Sequence, residues 1–192
     1  LSKRIGAPYI ALDHIASVIT PYIPEEERAA KLPLGAARRA TGFSNDRFYA
    51  RYSAAEALDL YLTSAATVWP GIRSFIRYVL DDGHELIMEG WQVLPRPLRD
   101  ALTHQDAGSV KVMYLCRLDV RRIASGLKEG TAGIDWVTRH TRDEATFGAI
   151  AAMVHAFSQY IIAEASDCSF TTMNTDLSFE QAVDAALETL LA

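Results

Sequence analysis

The sequence predicts an α/β fold, a three-layer sandwich on a mostly parallel sheet, and three observations lead there. Short apolar or β-branched runs alternate with amphipathic helical segments from one end to the other. Every connection between successive runs is long enough for a crossover, which parallel strands require. The composition, 49% hydrophobic and 22% charged over 192 residues, supports one core of ordinary size and excludes disorder.

The first strand is expected at Pro8 to Leu12 (PYIAL), between Gly6 and Asp13. Pro24 followed by Glu25, Glu26 and Glu27 reads as a helix start, with proline in the first turn and carboxylates facing the positive end of the dipole. Lys31 to Asn45 reads as loop. Ser53-Ala54-Ala55-Glu56 has the spacing of a capping box and opens a helix through Leu58 and Leu62, which Trp69-Pro70 is expected to interrupt. A new helix from Pro70 then stops at Asp82-Gly83. Glu85 to Glu89 is the second strand and Lys111 to Cys116 the third; Asp119 caps a short helix after it. Thr141-Arg142-Asp143-Glu144 reads as another capping box, ahead of a long helix striped by Phe147, Ile150, Val154, Phe157 and Ile161. Ser169 to Met173 is the fourth strand, and Ser178 caps a last helix.

Nineteen basic against 24 acidic side chains give a net charge of −5, so no sequence-wide electrostatic footprint for nucleic acid or an anionic membrane is present. No apolar run approaches the ~20 residues of a membrane span and no signal peptide is seen, so the chain reads as soluble and cytoplasmic. Cys116 and Cys168 fit no close-spaced metal pattern and read as buried thiols.

In parallel sheets ligands bind beyond the carboxyl ends of the strands. There the sequence places Asp13, Glu89-Gly90, Cys116-Arg117 and Asn174-Thr175-Asp176. Asp13 and Glu89, at two such ends, suit a water-mediated Mg²⁺ or the acceptance of a proton from a hydroxyl. The plainer alternative is helix capping for Asp13 and sheet-edge solvation for Glu89.

The opening run Leu1 to Ile15, the segment Asp82 to Gly90, the run Lys111 to Arg117 and the closing Asn174 to Glu180 together resemble P-loop small-molecule kinases of the 2-phosphoglycerate-kinase-like and zeta-toxin-like kind. That resemblance implies one P-loop NTPase-like domain over 1–192, with a substrate-binding insertion at about 21–69 and a lid at about 126–144. It implies a phosphotransferase that moves the γ-phosphoryl of ATP or GTP, with Mg²⁺, to a hydroxyl of a small anionic acceptor. Asp13 then orients the acceptor, Glu89 supports the metal, Arg139 or Arg142 neutralises charge when the lid closes, and Asn174 and Asp176 lie near the base. Within the insertion, Arg47 and Arg51 stand four apart and could present paired donors to a phosphate or carboxylate.

The sequence holds no G-x-x-x-x-G-K-[ST] cradle for the phosphates. The resemblance therefore implies about 20 residues upstream of Leu1, a strand and its loop, in keeping with ordinary strand lengths. Two alternatives stay open: a degenerate or toxin-like protein that meets a protein partner through Arg47 to Tyr52, and a nucleotide hydrolase.

Overall fold

The computed structural model describes residues 2–106, 108–130, 136–176 and 179–191. It corrects the predicted fold class. Among the described residues the protein is mostly helical and its strands pair only two by two, not in a three-layer sandwich on a parallel sheet of the P-loop NTPase type. The chain order is α1 (Ser2–Ile5), β1 (Tyr9–Ala11), α2 (Leu12–Ile19), α3 (Glu25–Lys31), α4 (Pro33–Ala40), α5 (Asn45–Arg51), α6 (Ala54–Asp81), β2 (Ile87–Glu89) and α7 (Pro95–Ala101). It continues with β3 (Met113–Cys116), α8 (Val120–Lys128), α9 (Trp136–His140), α10 (Glu144–Asp167), β4 (Thr171–Asn174) and α11 (Phe179–Leu191). β1 lies parallel to β2, with Ala11 opposite Glu89, and β3 lies parallel to β4, with Cys116 opposite Asn174.

The physical reason for the correction is that helices claim residues that the apolar runs offered to strands. Leu12, the last residue of the first run, already begins α2 and is fully buried. The stretch read as loop forms α4, because Pro33 sits in the first turn, where a missing N–H costs nothing, and Arg38 and Arg39 face the negative end of the dipole.

The largest departure is α6. Ser53 and Glu56 do form the expected capping box: the Ser53 amide donates to Glu56 Oε2 at 2.8 Å, and Ser53 Oγ accepts from the Glu56 amide at 3.3 Å. The helix then runs through Pro70 without a break to the Gly83 stop, where φ is +69° and the His84 amide closes back on the Val79 carbonyl. Proline in a helix interior costs about 3 kcal/mol. Val68, Ile72, Ile76 and Val79 are buried on the same helix, and burial of each contributes roughly 1.5–3 kcal/mol. Gly71 completes the fit, since a Cβ there would stand 2.5 Å from Ile19 Cδ1 of α2.

The other local expectations divide in the same way. Asp119 caps α8 through the Arg121 and Arg122 amides. The cap of α10 is Asp143, which accepts from the Ala145 amide, rather than Thr141, whose hydroxyl turns inward onto the Val137 carbonyl. The expected Ser178 cap lies outside the described residues. Cys116 and Cys168 are both free and buried, and burial pushes the Cys116 thiol up to about 11. By length and composition α10 would suffice to cross a membrane, yet α5, α6, α7, α8, β3 and β4 all pack against it.

Three clusters form the core. Ala65, Leu94, Tyr114, Cys116, Ile161 and Ala165 join α6 and α10 to β3. Leu12, Val68, Ile72, Ile76 and Leu98 join α2 and α7 to α6. Ala37, Phe48, Ala57 and Met153 join α4, α5, α6 and α10.

Near the C-terminal end of α6, Arg77 clamps the buried Asp106 with both terminal nitrogens at 3.0–3.1 Å, and Thr103 adds its amide and hydroxyl at 2.7 Å. The Arg77 bond, then the Thr103 bonds, hold the Asp106 carboxyl down at about 2. A carboxyl lowered on folding contributes stability above its unfolded value near 3.9 and loses it as pH falls toward the folded value. The urea midpoint is therefore expected to drop between pH 4 and pH 2. Asp106→Asn should flatten that drop; a variant with the same acid profile as the parent would show that this clamp does not couple to folding.

Candidate functional site

The site grows from the carboxyl ends of β1 and β2. The chain leaves β1 straight into α2, so Asp13 sits in the first turn of a helix that begins at the sheet end. Asp13 is exposed, yet its Oδ1 is held by two N–H donors, Gln92 Nε2 at 2.6 Å and Trp91 Nε1 at 3.1 Å. Both donors come from the turn after β2. At the same strand ends, the Tyr9 hydroxyl donates to Glu89 Oε1 at 2.6 Å. That bond, then burial, then the negative charges of Glu89 and Asp13, push the Tyr9 phenol above its ordinary value. One phenol therefore lies within the field of both predicted carboxylates.

Gln92 is 1% exposed, and its Oε1 has no hydrogen-bond partner. An acceptor buried in that way carries a desolvation cost. Gly90 makes room for it: a Cβ there would lie 2.5 Å from Gln92 Oε1 and 2.8 Å from Leu12 Cβ. Gly90→Ala is expected to destabilise the protein by about 1–3 kcal/mol and to displace Gln92 from Asp13. Chemical denaturation measures the first effect, and a loss of the Trp91 indole N–H shift in nuclear magnetic resonance reports the second.

Asn174 and Asp176 meet at the other strand pair. Asn174 Oδ1 accepts from the Asp176 amide at 3.0 Å, and Asp176 Oδ2 accepts from the Leu118 and Asp119 amides at 3.3 Å each. Arg117 Nε lies 3.5 Å from Asp176 Oδ1, and Arg122 donates to the Asp176 carbonyl. These bonds join the turn after β3 to the end of β4 and give both residues a structural task.

The predicted cations lie elsewhere. Arg47 and Arg51 are exposed on α5, and Arg51 stands over the Tyr52 ring at 5.5 Å. Arg139 and Arg142 are also exposed, and their segment is moored to α5. The Arg142 and Asp143 amides donate to Asp46 at 2.9 and 3.2 Å. Burial works against the Asp46 charge, but these amides, the Thr146 hydroxyl and the Arg142 guanidinium outweigh it and hold the carboxyl below its usual value.

A chain of contacts leads from Asp13 to that mooring. The Trp91 ring meets Tyr61 edge-on at 4.9 Å, and the Tyr61 hydroxyl lies 3.5 Å from Arg38 Nη2. Arg38 Nη1 donates to Asn45 Oδ1 at 2.5 Å, and Asn45 Nδ2 donates to Thr141 Oγ1 at 3.0 Å and the Val137 carbonyl at 3.2 Å. Sequence reasoning passed over Tyr9, Trp91 and Gln92 as functional candidates. Trp91 and Gln92 directly follow the strand-end Gly90, but no sequence pattern pairs them with Asp13.

A scan against protein-family models, a search of curated proteins and a search of solved structures each returned no match.

Proposed function

We propose that this protein binds a small hydroxyl-bearing molecule at the carboxyl ends of β1 and β2 and sets that hydroxyl against the Asp13 carboxylate, which serves as its proton acceptor. The observation that carries the reading is Asp13, fixed through one oxygen by Trp91 and Gln92 while the side chain stays exposed at the strand end. A carboxylate oriented before the ligand arrives loses little freedom on binding, and its remaining lone pairs can accept from an O–H. Asp13 takes the hydroxyl proton as the oxygen becomes a nucleophile.

Among the described residues no three His, Cys, Asp or Glu side chains converge on one point. Asp13 and Glu89, which both act on the Tyr9 phenol, are the carboxylates that would hold Mg²⁺ here, with water completing the shell. Bound there, the ion would supply charge neutralisation. ATP or GTP does not fit in the same sense. The segments that follow the four strands contain one glycine, Gly90, and no lysine, so they offer no phosphate cradle. No step is assigned to a nucleotide on these residues.

The test is a thermal-shift and calorimetric screen of the full chain against polyols, hydroxy acids and their phosphate esters, with and without Mg²⁺. A ligand at a hundredfold its dissociation constant should raise the melting temperature by roughly 5–10 °C. The reading fails if no hydroxyl-bearing compound binds, or if binding is indifferent to Asp13→Asn.

A further inference from the structure

We propose that Arg38, with the hydroxyls of Tyr49 and Tyr61, is the receptor for an oxyanion, a phosphate or carboxylate, carried by the molecule whose hydroxyl Asp13 orients; the link to Asp13 rests on the reading above. Arg38 is half-buried on α4. Its guanidinium lies 4.1 Å from the centre of the Phe48 ring, 4.9 Å from Trp136 and 5.7 Å from Tyr49. Of the other half-buried arginines, Arg77 meets Asp106 and Arg117 meets Asp176, while Arg28 donates to the Ile23 and Pro21 carbonyls. Among the described residues, no carboxylate stands within ion-pair distance of Arg38.

The contacts that Arg38 does make are to neutral groups, Asn45 Oδ1 and the Tyr61 hydroxyl, and they occupy two of its five N–H donors. A cation removed from water among aromatic rings and left without a counter-charge has its strongest complement in an anion. The planar fork then offers two parallel bonds to a carboxylate or phosphate. Asn45, itself anchored to Thr141 and to the Val137 carbonyl, fixes the angle of that fork.

Tyr49 supplies the second observation. Its hydroxyl is buried beside Arg38, which interacts with it, and it finds no acceptor for its own proton. Burial first, and then Tyr61, push the phenol well above its ordinary value, while Arg38 pulls it back only in part. The group therefore remains an O–H donor at neutral pH, which is what an oxyanion accepts from. Tyr61 ties the cluster to the carboxylate site, since its ring packs on Trp91, the residue that donates to Asp13. Arg47 and Arg51, the pair that spacing selects, lie exposed on α5 and lack this enclosure.

The probe is inorganic phosphate, followed by glycerol phosphate and glycerol, titrated into the full chain by calorimetry. Nuclear magnetic resonance of the three tryptophan indoles runs in parallel. Wild type should bind phosphate, with the Trp136 indole shifting while Trp69 stays still. Arg38→Gln should weaken phosphate and glycerol phosphate at least tenfold, Arg38→Lys should restore part of the loss, and Arg47→Ala should change neither. If Arg38→Gln does not fold, the wild-type indole shifts decide alone. Absence of phosphate binding to wild type, unchanged affinity in folded Arg38→Gln, or a shift at Trp69 in place of Trp136 would each overturn the proposal. Asp13→Asn separates the two readings. If it leaves glycerol phosphate binding untouched while Arg38→Gln abolishes it, the oxyanion receptor stands and the role of Asp13 falls.

Discussion

Asp13→Asn is expected to lower turnover of a hydroxyl acceptor by about 10²–10⁴ while leaving the melting temperature nearly unchanged. The two halves of that expectation have different causes. Asparagine keeps a carbonyl oxygen where Asp13 Oδ1 accepts from Trp91 and Gln92, so the local hydrogen bonds persist. What it loses is the capacity to take a proton. Steady-state rates on the acceptor found by screening, with thermal denaturation of both proteins, provide the check. A rate within threefold of wild type in a folded Asp13→Asn protein would remove proton acceptance from the role of this residue. Gln92→Leu gives the complementary case: it removes a donor to Asp13 and a buried unpartnered acceptor together, so activity should fall without a comparable loss of stability.

Phe48→Ala should have the largest effect on stability, about 3–5 kcal/mol, or roughly 6–20 °C in melting temperature. Phe48 is fully buried in the cluster with Ala37, Ala57 and Met153. Its ring also meets Tyr49 and Tyr52, each at 5.0 Å between centres, and supports the Arg38 guanidinium from below. Truncation thus opens a cavity under three aromatic or charged neighbours at once. Urea denaturation with an unchanged slope measures the loss. A cost below about 1 kcal/mol would mean that the α4–α5 cluster repacks freely.

These residues also show where sequence reading stops. The caps at Ser53 and Asp119, the stop at Gly83 and the centres of all four strands were legible, because each depends on a few consecutive residues. Pro70 was misread as a break because its tolerance depends on distant partners, such as Ile19 seated over Gly71, which no local pattern contains. The sheet was overestimated because an apolar run of four or five residues does not declare whether its ends belong to a strand or to the adjoining helix, as Leu12 illustrates. Asp13 and Glu89 could be picked out by their place after strands. The groups that orient Asp13 could not, being 78 and 79 positions away in the chain.

Helix α6 bears on how the protein comes apart. Its 28 residues contribute Ala65 to one core cluster, Val68, Ile72 and Ile76 to the second, and Ala57 to the third. No cluster can open fully without unwinding part of a helix on which the other two depend. Separate regional melting is thereby suppressed, and the protein should lose its structure in one cooperative step, its amides along α6 exchanging with solvent at the rate of global unfolding.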